Sequence, residues 1–236
     1  MGLLQFFIQA MKEFMLCFTG CRILRVLLCV VGVAAAAMST GCAPFKSARP
    51  ASEASHIRFV YTVTPGVLIR GAEPDEQGMR ELRDNFSVKT LVNFNNLSTE
   101  SEAKLAAQFG LNYLPLPDHP ISEAGDEERY LAFMKAVREA RAKGELPVYV
   151  HCDTGLDRVG LAVGVYRIVE DGWDAEQAVA ELRGYQRYFL AVFFYRYDDI
   201  LREVEQKREE WRSRLNNAPA PPVQRNAPGT EPTTQR

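Results

Sequence analysis

A cysteine and an arginine six positions apart carry the first suggestion of chemistry in this sequence. The stretch is His151-Cys152-Asp153-Thr154-Gly155-Leu156-Asp157-Arg158-Val159-Gly160. An apolar run from Pro147 to Val150 precedes it. A helical pattern follows, with Leu161, Val165, Ile168 and Val169 on one face. A loop that enters a helix N-terminus turns its backbone N–H groups into one concavity. Such a nest binds a dianionic phosphate. The same field favours a thiolate, so Cys152 is expected to be a nucleophile with a depressed pKa. Arg158 can lay a planar fork on two phosphate oxygens. Asp153, Thr154, Gly155, Leu156 and Asp157 supply the amides, and Gly155 permits the tight curl. Gly160 and Gly164 are expected to let the helix approach the sheet closely. Given the cysteine, the accompanying His, Gly, Arg and Gly arise by chance with a probability on the order of 10⁻⁵ to 10⁻⁶. That sets aside the bland reading of Cys152 as a small buried hydrophobe.

The elements that must hold this loop alternate along the chain. Val67–Arg70, Val88–Phe94, Asn112–Leu116 and Pro147–Val150 read as strands. Pro74 and Asp75 open a helix with acidic residues in its first turn. Ser98 caps a second helix over about 99–109 that stops at Gly110. A third covers about 126–143, with Tyr130, Phe133, Met134 and Val137 on one face and Gly144 as its stop. The helix after Arg158 ends at Gly172, another starts at Asp174, and a last long one runs over about 195–215. The result is an α/β fold, a mostly parallel central sheet flanked by helices.

Both ends differ from this middle. Arg22 and Arg25 precede an apolar run from Val26 to Met38, then Ser39-Thr40-Gly41-Cys42. This is the order of a signal peptide, and the run is short for a transmembrane helix. Its ending resembles a bacterial lipobox, in which Cys42 would carry lipid and become the new N-terminus, although Ser39 stands where the pattern prefers Leu. A start at Met11 or Met15 would shorten the leader, Met15 to the more usual length. Residues 1–42 are therefore read as a signal peptide, 43–57 as a flexible tether, 58–215 as the folded domain and 216–236 as a disordered Pro-rich tail. The expected location is the bacterial cell envelope, lipid-anchored and facing the periplasm. Secretion or an uncleaved signal anchor are the alternatives. Cys17, Cys21 and Cys29 leave with the signal and Cys42 is lipidated, so Cys152 remains as the free thiol in an oxidising compartment.

Composition excludes some classes. The chain has 236 residues, 47% hydrophobic and 25% charged, with a formal net charge of −2. That is ordinary for a globular domain and provides no basic face for nucleic acid. His56, His119 and His151 are scattered, so neither a metal site nor a cofactor is expected.

His-Cys-x-x-Gly-x-x-Arg is the signature loop of the cysteine-dependent protein-tyrosine phosphatase superfamily, and this chain resembles its bacterial dual-specificity-phosphatase-like members. "GVLIRGAEPDEQGMRELRDNFSVKTLVNF" is similar to the family's N-terminal strand, Arg-x-x-x-Pro turn, helix and strand. "GLAVGVYRIVEDGWDAEQAVAELR" is similar to its helix pair. The resemblance covers about 60–200. It implies a phosphatase of phosphate monoesters, on a phosphorylated protein or a small ester, through a phosphocysteine. It also implies a general acid on a loop upstream of the cysteine. Asp118, in a Pro-Asp-His-Pro setting like the family's Trp-Pro-Asp loop, is the expected acid. Asp126 is the rival and has an alternative role as a helix cap. His119 is expected to be a loop residue, and His151 to anchor the signature loop.

Two departures bear on function. The family places Ser or Thr after the Arg, whose hydroxyl bonds the cysteine sulfur and helps it leave. Val159 cannot do so, which implies slower phosphoenzyme breakdown and a less depressed Cys152 pKa. Relatives that favour phosphoinositides often carry Lys where Leu156 stands. The alternatives are therefore a non-catalytic phosphoryl-binding lipoprotein, a phosphatase of phosphoinositides or inositol phosphates, and a different thiol enzyme such as a sulfurtransferase. Arg70 is a candidate second phosphate contact, with an ion pair at the turn before the first helix the preferred role. Asp157 would either orient Arg158 or bind loop amides. The aromatic run Tyr185–Tyr197 is expected to pack in the core rather than line a cleft.

Overall fold

The computed structural model describes residues 49–50, 55–95, 99–117, 127–185 and 195–226. Six strands form one sheet: β1 (Arg49–Pro50), β2 (Tyr61–Thr64), β3 (Leu68–Ala72), β4 (Thr90–Asn93), β5 (Asn112–Pro115) and β6 (Val148–Cys152). Their order is β1-β2-β3-β6-β4-β5. The four strands β3, β6, β4 and β5 run parallel, while β1 and β2 are antiparallel additions at one edge. The mostly parallel sheet expected from the sequence is therefore present. The short strand β2 was not foreseen, because Val63 alone of its four residues is buried.

Side chains alternate across this sheet. Leu68, Val92, Leu114, Val148, Val150 and Cys152 enter one apolar cluster, and Ile69, Leu91, Tyr113 and Tyr149 enter the other. A strand covered on both faces has no polar face to show, which is why β6 reads as one apolar run.

Seven helices cover the two faces among the described residues: α1 (Glu76–Asp84), α2 (Thr99–Gln108), α3 (Glu127–Lys143), α4 (Arg158–Val169), α5 (Ala175–Tyr185), α6 (Tyr195–Gln206) and α7 (Arg208–Asn217). Met79 and Leu82 of α1 and Ala106 of α2 pack with Tyr149. The buried faces of α3, α4 and α5 pack with Val148 and Val150. Asp75 caps α1 as expected, accepting a hydrogen bond from the Gly78 N–H at 2.8 Å. A cap of this kind contributes about 1 kcal/mol. Ser98, the expected cap of α2, lies outside the described residues.

Three expectations need correction. The last helix is two helices. Lys207, at φ −103° and ψ 19°, leaves helical geometry and lets Leu201, Val204, Trp211 and Leu215 all reach the core. Gly160 and Gly164 serve contacts between helices more than contacts with the sheet. A Cβ on Gly160 would stand 2.4 Å from Leu182 Cδ1 on α5, and one on Gly164 2.8 Å from Leu201 Cδ2 on α6. The segments read as tether and disordered tail also hold structure in part. Arg49–Pro50 pairs with β2, and Ile57 is buried. At the other end, Gln224 and Tyr113 exchange backbone hydrogen bonds at 2.8 and 2.9 Å along the outer edge of β5. Arg225 pairs with Glu145, and Asn226 Nδ2 donates to the Leu111 carbonyl. Backbone pairing needs no apolar periodicity, so the Pro-rich composition concealed it.

Candidate active site

The central strand β6 delivers the cysteine. Cys152 is its last residue and pairs in register with Ala72 of β3, while His151 pairs with Gly71 and with Asn93 of β4. Six residues later Arg158 begins α4. The loop 153–157 thus sits at the C-terminal end of the parallel strands, where open α/β sheets bind ligands. Cys152 is 1% exposed, and the Gly155 N–H donates to its Sγ at 3.2 Å. That contact shows the loop curled around the sulfur.

Gly155 makes the curl possible in two ways. Its φ is +72°, and a Cβ there would lie 2.1 Å from the Gly71 carbonyl oxygen and 2.8 Å from the Ala72 nitrogen. No side chain fits. The loop's first residue is tied to β3 by the Glu73 N–H, which donates to the Asp153 carbonyl at 3.3 Å. The Thr154 Oγ1 accepts a long bond from the Leu156 N–H at 3.4 Å. Asp153 is exposed and Leu156 buried. Arg158 is anchored by one Nη1 bond to the Phe94 carbonyl, 3.1 Å away at the end of β4. Its other guanidinium N–H groups have no partner among the described residues, so the fork is free for an oxyanion.

His151 is fully buried, with its Nε2 2.9 Å from Glu102 Oε1. The other carboxylate oxygen of Glu102 accepts from Asn93 Nδ2 and, at 3.0 Å, from Tyr113 Oη. Asn93 Nδ2 also donates to Tyr113 Oη at 2.8 Å. The ring of His151 stacks on Tyr149, with centroids 5.7 Å apart. Burial pushes both tyrosine hydroxyls well above their ordinary range, so they stay neutral donors. The Nε2–Oε1 approach is one of distance, since neither atom makes a hydrogen bond among the described residues. The imidazole lies with Tyr149, across the strand from the Cys152 sulfur, which enters the opposite apolar cluster. Glu102, Asn93 and Tyr113 were not singled out from the sequence. Glu102 reads as an acidic residue in a helix's first turn, and only packing of α2 on β4 and β5 reveals its burial.

Arg70 does not make the expected ion pair. It is fully buried and has no ion-pair partner among the described residues. Its Nη2 donates to the Gly155 carbonyl at 2.7 Å and to the Leu156 carbonyl at 3.1 Å, and its Nε donates to Gly155 at 3.2 Å. Asp157 stands at the N-cap of α4, yet its carboxylate makes no cap hydrogen bond. Burial raises its pKa, with Arg158 and Arg70 pulling the other way. Val159 is fully buried in the same apolar cluster as Cys152. Of the aromatic run, Tyr185 packs on Tyr61 at 4.7 Å and Tyr197 against the core, while 186–194 lie outside the described residues. Asp118, His119, Asp126 and Cys42 also lie outside them.

The fold that presents this loop has solved counterparts. The crystal structure of TpbA from Pseudomonas aeruginosa superposes with a TM-score of 0.54 and 27% identity, over 70% of this chain and 98% of that one. The fold is the protein-tyrosine phosphatase fold. A structure of TpbA in complex with phosphotyrosine gives the same TM-score at 25% identity. The core catalytic domain of the PP-IP phosphatase SIW14 from S. cerevisiae, at 14% identity and a TM-score of 0.51, shares the fold alone. In sequence, the chain is homologous to the dual specificity protein phosphatase TpbA from two Pseudomonas aeruginosa strains, with 33% and 32% identity over 124 residues. It spans about half the length of these curated relatives, 53% in each case. No protein-family model matches the chain.

Proposed function

We propose that the chain is a cysteine-dependent phosphatase that hydrolyses phosphate monoesters, with phosphotyrosine or dual-specificity protein substrates first. The observation that carries this reading is the loop itself. Cys152 Sγ accepts a hydrogen bond from a loop amide, and Arg158, whose guanidinium has one hydrogen-bond partner among the described residues, opens the helix that follows. TpbA, the homologue, is by name a dual specificity protein phosphatase, and one of its structures holds phosphotyrosine.

The proposed reaction has two steps. The Cys152 thiolate attacks phosphorus in line with the ester oxygen. Loop amides and Arg158 hold the charge on the three equatorial oxygens. Asp118 gives its proton to the departing alkoxide or phenoxide. Asp118 then takes a proton from water, which attacks the phosphocysteine and releases phosphate and the thiolate. The test is turnover of an aryl phosphate by the full chain in detergent, with and without vanadate. Vanadate-sensitive hydrolysis supports the reading, and its absence with phosphate still bound favours the non-catalytic alternative.

Val159 gives this reading a kinetic signature. The second step expels the thiolate, and the side chain after Arg158 is here an apolar one packed with Cys152. Val159→Thr is expected to speed phosphoenzyme breakdown by about 10-fold, one charge-assisted hydrogen bond's share. A burst of aryl product in the parent that shrinks in the variant is the readout; an unchanged burst would refute it.

The N-terminal order of basic residues, apolar run and Ser-Thr-Gly-Cys supports export and a lipid on Cys42. Among the described residues, no helix is long and apolar enough to cross a membrane. Mass analysis of the N-terminal peptide for a diacylated Cys42 tests this part.

A further inference from the structure

A fully buried arginine without an acidic partner is costly, because desolvation of the guanidinium is not offset by a nearby charge. Arg70 is such a residue. It leaves β3 beneath the signature loop, with Tyr185 covering it at 4.7 Å and Gly160 lying beside its Nη2. Burial lowers its pKa, and Glu181, the largest of the opposing influences, acts without an ion-pair contact. Its Nη1 is buried and has no hydrogen-bond partner among the described residues. The remaining donors all go to two carbonyls, Gly155 and Leu156, which lie 85 and 86 positions away in the chain.

The geometry of a trans peptide gives those two bonds a consequence. The C=O of one residue and the N–H of the next point in opposite directions across a rigid plane. Holding the Gly155 oxygen on the inner side therefore turns the Leu156 N–H outward. Holding the Leu156 oxygen does the same for the Asp157 N–H. The long bond from the Leu156 N–H to Thr154 Oγ1 is weak enough for an oxyanion to replace.

We propose that Arg70 is a positioning residue for the phosphate cradle: its buried guanidinium grips the Gly155 and Leu156 carbonyls from behind and so aims the Leu156 and Asp157 amides at the oxyanion. The clamp rests on the phosphatase reading of the same loop. It also places a second cation behind the anion site, so that a bound phosphate offsets part of the burial cost of Arg70. Arg158 acts by contact with the oxyanion; Arg70 acts through the peptide planes.

The test measures inorganic phosphate or tungstate affinity of the full chain in detergent, beside ligand-free unfolding temperature and aryl phosphate turnover. Arg70→Lys keeps the charge but cannot grip two carbonyls in one fork. It is expected to fold, to bind tungstate about 10-fold more weakly and to lose about 100-fold in kcat/KM, the scale of one mis-aimed oxyanion donor. Arg70→Met removes the charge as well and is expected to lose more on both. A merely structural role would lower the unfolding temperature while the folded protein bound tungstate like the parent. That result in either variant overturns the proposal. If Arg70→Met does not fold, Arg70→Lys decides. A parent that binds tungstate but turns nothing over sinks the phosphatase reading and leaves the clamp standing. A parent that turns over normally beside an unaffected Arg70→Lys does the reverse.

Discussion

Cys152→Ser is expected to lower aryl phosphate turnover by about 10⁴-fold or more, the scale on which an essential nucleophile is lost. The hydroxyl that replaces the thiol is a far weaker nucleophile near neutral pH, and no neighbouring base compensates. The imidazole of His151 stacks on Tyr149 and so lies across the strand from the side chain of residue 152. Phosphate binding should survive within a few-fold, because the loop amides and the Arg158 fork are untouched. Steady-state turnover and phosphate titration of one preparation check both halves. Turnover retained by the variant would remove Cys152 from the mechanism. Loss of binding alongside turnover would show only that the loop had collapsed.

Asp118→Asn carries the second large effect. A positioned acid contributes about 10²- to 10⁴-fold. The loss should depend on the leaving group. It is largest for an alkyl phosphate, whose alkoxide must be protonated as it departs, and smallest for nitrophenyl phosphate, whose phenoxide leaves unaided. Asp126→Asn should change little for either ester. Pro117, directly before Asp118, has its carbonyl held by Arg129 Nη1 at 3.1 Å, and Arg129 is itself buried on α3. Pro117 is thus pinned just beyond the C-terminal end of β5, the end of the sheet at which Cys152 lies. A leaving-group dependence that appears in Asp126→Asn and not in Asp118→Asn would exchange the two roles.

These effects separate what was readable in the sequence from what was not. The nucleophile, the arginine and the glycine between them were legible because their spacing is local: a strand, a five-residue curl and a helix start all fall within one short stretch. The parallel core strands were legible for a similar reason, since burial on both faces leaves an unbroken apolar run. The supporting shell was not. Arg70 reaches carbonyls 85 and 86 positions away, and Glu102 on α2 approaches His151 on β6. Arg70 was a candidate phosphate contact or ion pair, but its carbonyl partners become visible only once the sheet order sets β3 beside β6. The break at Lys207 was hidden as well, because its neighbours keep helical periodicity on both sides. Gln224 pairs through its backbone, which composition does not record.

The central claim is a phosphocysteine on Cys152, and the most direct measurement is the mass of the chain quenched in acid during turnover of an aryl phosphate. The expected result is one added phosphoryl group, mapped by peptide analysis to the segment that contains Cys152 and missing from Cys152→Ser. Slow breakdown beside Val159 should make this species abundant. Steady hydrolysis with no phosphorylated chain at any quench time, or with the phosphoryl group on another residue, would contradict it.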